Sequence, residues 1–159
     1  VVTRENIGSW LEGSPAGGEG DDRGARLGLP RDGSGSLAGL GRRIVALLID
    51  WFASLLVASV VFPHDSASRS WGPLAIFALE NVVLVGSIGS SIGHRLLGLR
   101  VRRVATPPAE PVVDDGHAPG FLAAAIRTVL VCVVIPAVIW DGDGRGMHDR
   151  AAGTAIVRR

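Results

Sequence analysis

The sequence has no lysine and no tyrosine, and only one cysteine and one methionine. Without lysine there is neither a Schiff-base amine nor the lysine of a phosphate-binding loop. Cys132 alone cannot form an intramolecular disulfide, and a Cys-x-x-Cys metal or redox motif needs two cysteines. Net charge is also nearly absent. Sixteen arginines stand against 15 acidic residues, leaving +1, so no global field exists of the kind that holds DNA or RNA. The four histidines, His64, His94, His117 and His148, are scattered and none has His-Glu-x-x-His spacing, so no metal site is expected. Asp141-Gly-Asp-Gly-Arg-Gly starts like a calcium loop, but Arg145 and Ala152 fall at positions five and twelve, where ligands are required. No cofactor is expected.

What the chain does have is apolar length. Hydrophobic residues make up 47% of 159 positions, and the mean hydropathy is +0.35. This is the apolar side of ordinary soluble domains and points to a membrane-embedded class. Residues 1–41 are the exception. They hold 11 of the 22 glycines and six acids, and read as a disordered Gly-rich cytoplasmic tail. Residues 42–157 then form one membrane domain, with apolar segments at about 44–62, 73–92 and 120–140. The first, Ile44 to Phe62, is 19 residues broken by Asp50 alone, and it reaches about 28 Å, close to the roughly 30 Å hydrocarbon core. Its internal charge and long polar lead argue against a cleaved signal peptide. The second, Pro73 to Ile92, is interrupted by Glu80 and Asn81 and completes an antiparallel hairpin.

The third segment, Gly120 to Trp140, contains Arg127 and Pro136. Arg42 and Arg43 before the first span, and Arg95, Arg100, Arg102 and Arg103 after the second, put the N-terminus and the second connection on the cytoplasmic side. A third full crossing would leave Arg145, Arg150, Arg158 and Arg159 outside, so this segment is expected to re-enter or lie in the interface; a full crossing is the alternative. The fold class is therefore all-α and membrane-embedded, with a hairpin and a third apolar helix. One addition is expected: Leu96 to Val104 alternates and then meets Thr-Pro-Pro, so a short cytoplasmic strand could pair with Gly153 to Val157.

Charges within apolar segments are costly and usually face the bundle interior with a partner. Arg43 and Asp50, seven residues apart, share one helix face. Asp50 and Arg127 should lie at similar depth and are expected to pair, with Glu80 deeper. The cluster Arg43, Asp50, Glu80, Arg127 and Asp149 is read as a structural clasp, with transport as the rival role. Gly89, Ser91 and Gly93 match Gly-x-Ser-x-Gly, and Asp141 and His148 follow in hydrolase order, but a nucleophile elbow needs a strand before it and here an apolar helix precedes. The Gly89-xxx-Gly93 spacing instead reads as a helix-packing contact. No catalytic residue is assigned. Cys132, in an apolar run, reads as an inert packing residue.

Three pieces of the sequence together resemble the RDD family of small bacterial membrane proteins. Arg43-Ile-Val-Ala-Leu-Leu-Ile-Asp50 matches the family's arginine and first aspartate. Ile92-Gly-His-Arg-Leu-Leu-Gly-Leu-Arg-Val101 is similar to its GKRLLGLRV stretch, with His94 in place of lysine. Met147-His-Asp149-Arg-Ala-Ala-Gly-Thr-Ala-Ile-Val157 is similar to the closing LHDRLAGTVV, with Asp149 as the second aspartate. The resemblance covers roughly residues 39 to 157, and Arg127 falls where the family commonly has an arginine. It implies a multi-pass protein of the bacterial plasma membrane without an assigned general activity. The expected function is that of a non-enzymatic structural or accessory module whose partners are the lipid bilayer and another membrane protein or a second copy, and not nucleic acid. The alternative is an oligomeric ion or small-molecule transporter using the intramembrane carboxylates.

Overall fold

The computed structural model describes residues 27–62, 68–104, 117–133 and 146–159. Its elements in chain order are α1 (Leu40–Val61), α2 (Ser68–Ile88), α3 (Ile92–Leu96), β1 (Leu99–Arg103), α4 (Phe121–Cys132), α5 (Met147–Ala151) and β2 (Thr154–Arg158). The chain is mostly helical, and two helices, α1 and α2, are long and apolar enough to cross a bilayer, with mean hydropathies of 2.4 and 1.6. Both have far more of their surface outside the fold than within it. Only 22% and 28% of their apolar windows are buried, whereas the core helix of a soluble protein is mostly covered.

The first helix starts at Leu40, four residues before its apolar run, because Gly39 in extended backbone is the N-cap and Gly41 and Arg43 already pack inward. At its far end Phe62 turns back onto Gly72, where a Cβ would lie 2.5 Å from the Phe62 ring. Phe62 and Trp71 meet at a tilt of 55° with ring centroids 6.0 Å apart, and further along Trp51 meets Phe77 edge-on at 5.9 Å. These aromatic pairs hold the two long helices side by side. The second helix also starts earlier than its apolar run and carries Pro73 inside its second turn. It stops at Ile88, short of Ile92, because Gly89 takes φ +72° and the chain turns.

The two strands pair antiparallel, with Leu99 opposite Arg158, Val101 opposite Ile156 and Arg103 opposite Thr154. Alternation along the strands separates two small cores. Leu99, Val101 and Ile156 face the helices and pack with Ala46, Val85 and Ala124. Ala155 and Val157 face the other way and pack with Leu27, Leu29 and Val104. The end of α2 is tied to the sheet by the Val101 N–H donating to the Gly89 carbonyl at 2.7 Å.

Residues 27–39 correct the reading of the whole 1–41 stretch as disordered. Leu37 bridges to Val157, the Gly35 and Ala38 N–H groups donate to the Arg158 and Ile156 carbonyls at 2.9 Å, and Arg158 donates back to Ser36. The glycines of this stretch serve turns, and its leucines supply enough burial to order the chain against β2. Residues 1–26 lie outside the described residues. So does 134–140, the second half of the third apolar segment, of which α4 is the described part.

Candidate functional site

Along α1 the buried positions are Gly41, Arg43, Ala46, Asp50, Ser54 and Ala58, spaced by two to four residues and so on one face. Small and polar side chains therefore look inward. The large apolar ones look out: Phe52, Leu56 and Val60 are 64%, 69% and 82% exposed, while Asp50 is 2% exposed. A soluble helix has the opposite arrangement.

Asp50 is held by the short turn that follows α2. Its Oδ1 accepts the Gly93 N–H at 2.6 Å and its Oδ2 accepts the Ser91 hydroxyl at 2.6 Å. With a donor on each oxygen, the dehydrated carboxylate keeps replacements for lost water. Ser91 is the N-cap of α3, and its Oγ also takes the His94 N–H at 3.2 Å. The same Oγ lies 2.7 Å from His94 Nδ1, and the Ser91 backbone N–H donates to that ring nitrogen at 3.4 Å, which completes a capping box at the head of α3. Burial, aided by the Arg127 charge, pushes His94 down to about 3 from its usual 6.5, so the ring is neutral at physiological pH. Ser54, one turn beyond Asp50 on the same stripe, donates to the Asp50 carbonyl at 2.8 Å and lies 3.4 Å from Glu80 Oε2.

The second half of the site joins α4 to the C-terminal turn. Arg127, 5% exposed, forms an ion pair and hydrogen bond with Asp149, which is fully buried. Thr154 adds a hydroxyl bond to Asp149 Oδ1 at 3.2 Å, and His148 Nε2 lies 3.5 Å from Oδ2. Burial alone would raise Asp149; the charges of Arg127, His148 and Arg43 outweigh it and hold the carboxyl below the usual carboxylate range. Asp149 therefore stays ionised opposite its guanidinium.

Between the two halves lies a cavity of about 70 Å³ bordered by Arg43, Asp50, Asn81, His94, Arg127 and His148. Ile44, Leu47, Phe77, Val131 and Ile156 complete its walls, so the charged groups look into a space that is apolar on its other sides. The structure thus gathers Arg43, Asp50, Arg127 and Asp149 in one region, with Glu80 beside Ser54 at its edge. It pairs them differently from the sequence expectation: Arg127 meets Asp149, and Asp50 takes its bonds from Ser91 and a backbone amide rather than from Arg127.

The two packing glycines also differ from a shared stripe. Gly89 ends α2 in left-handed backbone, while Gly93 belongs to α3 and lies against α1: a Cβ there would overlap the Ala46 carbonyl and sit 2.8 Å from its carbon. Ser54, Ser91, His94, His148 and Thr154 were not singled out for this cluster by sequence. Only Ser54 carried a signal, its four-residue spacing from Asp50.

Among the described residues no group of three His, Cys, Asp or Glu side chains is placed to hold a metal ion. The Ser91 hydroxyl, buried and bonded to both Asp50 and His94, serves as cap and carboxylate donor. Asp141 lies outside the described residues. No family model, curated protein or solved structure matches this chain.

Proposed function

We propose that the chain is a multi-pass integral protein of the bacterial plasma membrane, with its N-terminus in the cytoplasm. In this reading it works as a non-enzymatic structural or accessory module through a membrane-protein partner or a second copy. The observation that carries the reading is the inverted α1, whose arginine, aspartate and serine are inside while Phe52, Leu56 and Val60 are outside. Water would penalise that face by about 25 cal/mol for each Å² of apolar surface left exposed, whereas hydrocarbon does not. The three motifs similar to the RDD family support the same reading, because Arg43, Asp50 and Asp149 are the residues the clasp is built from. The clasp fastens the hairpin to α4 and to the strand pair, presenting a fixed cytoplasmic face beneath the spans.

The test is topology. With Cys132 replaced by serine, single cysteines at Ser70 and Arg159 are probed from outside intact cells, after an alkaline wash has shown that the protein stays with the membrane. The label is expected to reach position 70 and not 159. Labelling at 159 from outside would break the arrangement.

The cavity among Arg43, Asp50, His94, Arg127 and His148 favours a second reading, in which an oligomer moves an ion or small molecule past these groups. Proton, sodium or potassium flux into proteoliposomes would support it, and silence from correctly inserted protein would remove it.

A further inference from the structure

The exposed side of α4 carries a second site. A groove of about 380 Å³ runs from the end of the strand pair onto the first turns of α4, bordered by Arg103, Val104, Leu122, Ile126, Ala152 and Gly153. It combines two chemistries. Its walls are apolar, and they continue as a ridge of outward residues, Leu122, Ile126, Val129 and Val133, spaced by four, three and four residues along one face of the helix. Its one charge is the Arg103 guanidinium, which is pinned in place: Nε donates to the Pro119 carbonyl at 2.6 Å, and Nη2 lies over Gly120 at the head of α4, 3.4 Å from where a Cβ would be.

A second exposed cation, Arg150, belongs to the turn that forms the far wall, since its carbonyl accepts the Gly153 N–H at 3.1 Å. The acidic side chains among the described residues are Asp32, Asp50, Glu80 and Asp149. Asp149, the neighbour of Arg150, is committed to Arg127 in the interior, Asp50 is held by Ser91 and the Gly93 amide, and Glu80 lies beside Ser54. Among the described residues the groove thus carries the Arg103 cation, with Arg150 on the adjoining turn, and its length is apolar; this pairing matches an amphiphile with a negative head.

We propose that this groove binds an anionic phospholipid of the cytoplasmic leaflet, with its phosphate at Arg103 and Arg150 and an acyl chain along Leu122, Ile126 and Val129. The assignment rests on the membrane reading above. A zwitterionic lipid presents a compensating amine at the same level and gains less from two guanidinium groups. Each arginine near an anionic lipid surface is worth about 1 kcal/mol, or about fivefold in affinity.

The experiment uses the full chain in detergent with equal amounts of phosphatidylglycerol and phosphatidylcholine, bound lipid being read by native mass spectrometry. The protein is expected to retain phosphatidylglycerol selectively. Arg103→Gln and Arg150→Gln should each weaken retention about fivefold, and together abolish the selectivity. Arg95→Gln, which removes an exposed arginine of α3 outside the groove, should leave it unchanged. A rise in thermal midpoint on adding phosphatidylglycerol, lost in the double variant, reports the same binding in protein shown to be folded. Equal retention of the two lipids, retention that survives the double change, or an equal loss in Arg95→Gln would overturn the groove. Recovery of the protein in the alkaline-washed membrane fraction is scored separately, so failure of the groove is distinguishable from failure of the membrane reading.

Discussion

Replacing Gly93 with alanine is expected to lower the thermal midpoint of the purified protein sharply and to reduce its accumulation in the membrane. The added methyl group would overlap the backbone of Ala46, whose carbonyl carbon and Cα would lie 2.8 and 3.0 Å from it. The obstacle is backbone, so no rotamer change relieves it. Helix α3 must move away from α1, and with it go the two donors that hold Asp50, the Gly93 N–H and the Ser91 hydroxyl. Overpacking costs about 1–3 kcal/mol and each lost bond to a charged group about 1.5–3 kcal/mol, so the combined loss is a large share of a typical domain's stability. Two controls separate this account from a general intolerance of change. Ala46→Gly should not rescue the variant, because the overlapping atoms remain. Gly33→Ala, in a turn with nothing within 4 Å of its Cβ position, should cost only the strain of its positive φ. A Gly93→Ala protein of unchanged midpoint would show that α3 does not rest on α1.

The second large effect is expected at Arg127. Arg127→Leu leaves Asp149 fully buried without its guanidinium, and removing one member of a buried pair typically costs about 3–5 kcal/mol. Asp149→Leu strands Arg127 in the same way. The double change removes both charges together and should be milder than the sum of the singles, since well-packed apolar residues often replace a buried pair without loss. Thermal midpoints of the four proteins in one detergent give the coupling. The corresponding cycle for Asp50→Asn and Arg127→Leu should show the smaller coupling, because no hydrogen bond joins that pair in the structure. A double variant at positions 127 and 149 no milder than the sum of the singles would contradict the clasp.

How far these contacts could be read from sequence depends on the kind of partner involved. The long helices were legible because apolar length and a single internal charge are properties of one segment. The strand pair was legible because Leu99, Val101 and Ile156 alternate with outward residues and the first strand runs into Thr-Pro-Pro. That Asp50 faces inward followed from its spacing with Arg43. What holds it did not follow, because one of its donors is the amide of Gly93, and a backbone N–H has no signature in sequence. Depth along separate helices likewise put Asp50 opposite Arg127, whereas the C-terminal turn brings Asp149 to that guanidinium from outside the apolar segments. Composition misled at residues 27–39, where the glycine content hid three leucines, Leu27, Leu29 and Leu37, that dock on the sheet. The glycine pair misled for a related reason: its spacing assumes one continuous helix, and Gly89 is the residue that ends it.

The central claim is that the apolar outside of α1 faces hydrocarbon while its polar inside faces protein. Nitroxide labels placed singly at positions 52, 54, 56 and 60, in a Cys132→Ser background reconstituted in liposomes, test it through collision rates with oxygen and with a water-soluble nickel complex. Labels at 52, 56 and 60 should collide freely with oxygen and hardly with nickel, while a label at 54 should be shielded from both. Strong nickel collisions at 56 and 60, or lipid-like oxygen access confined to 54, would contradict it.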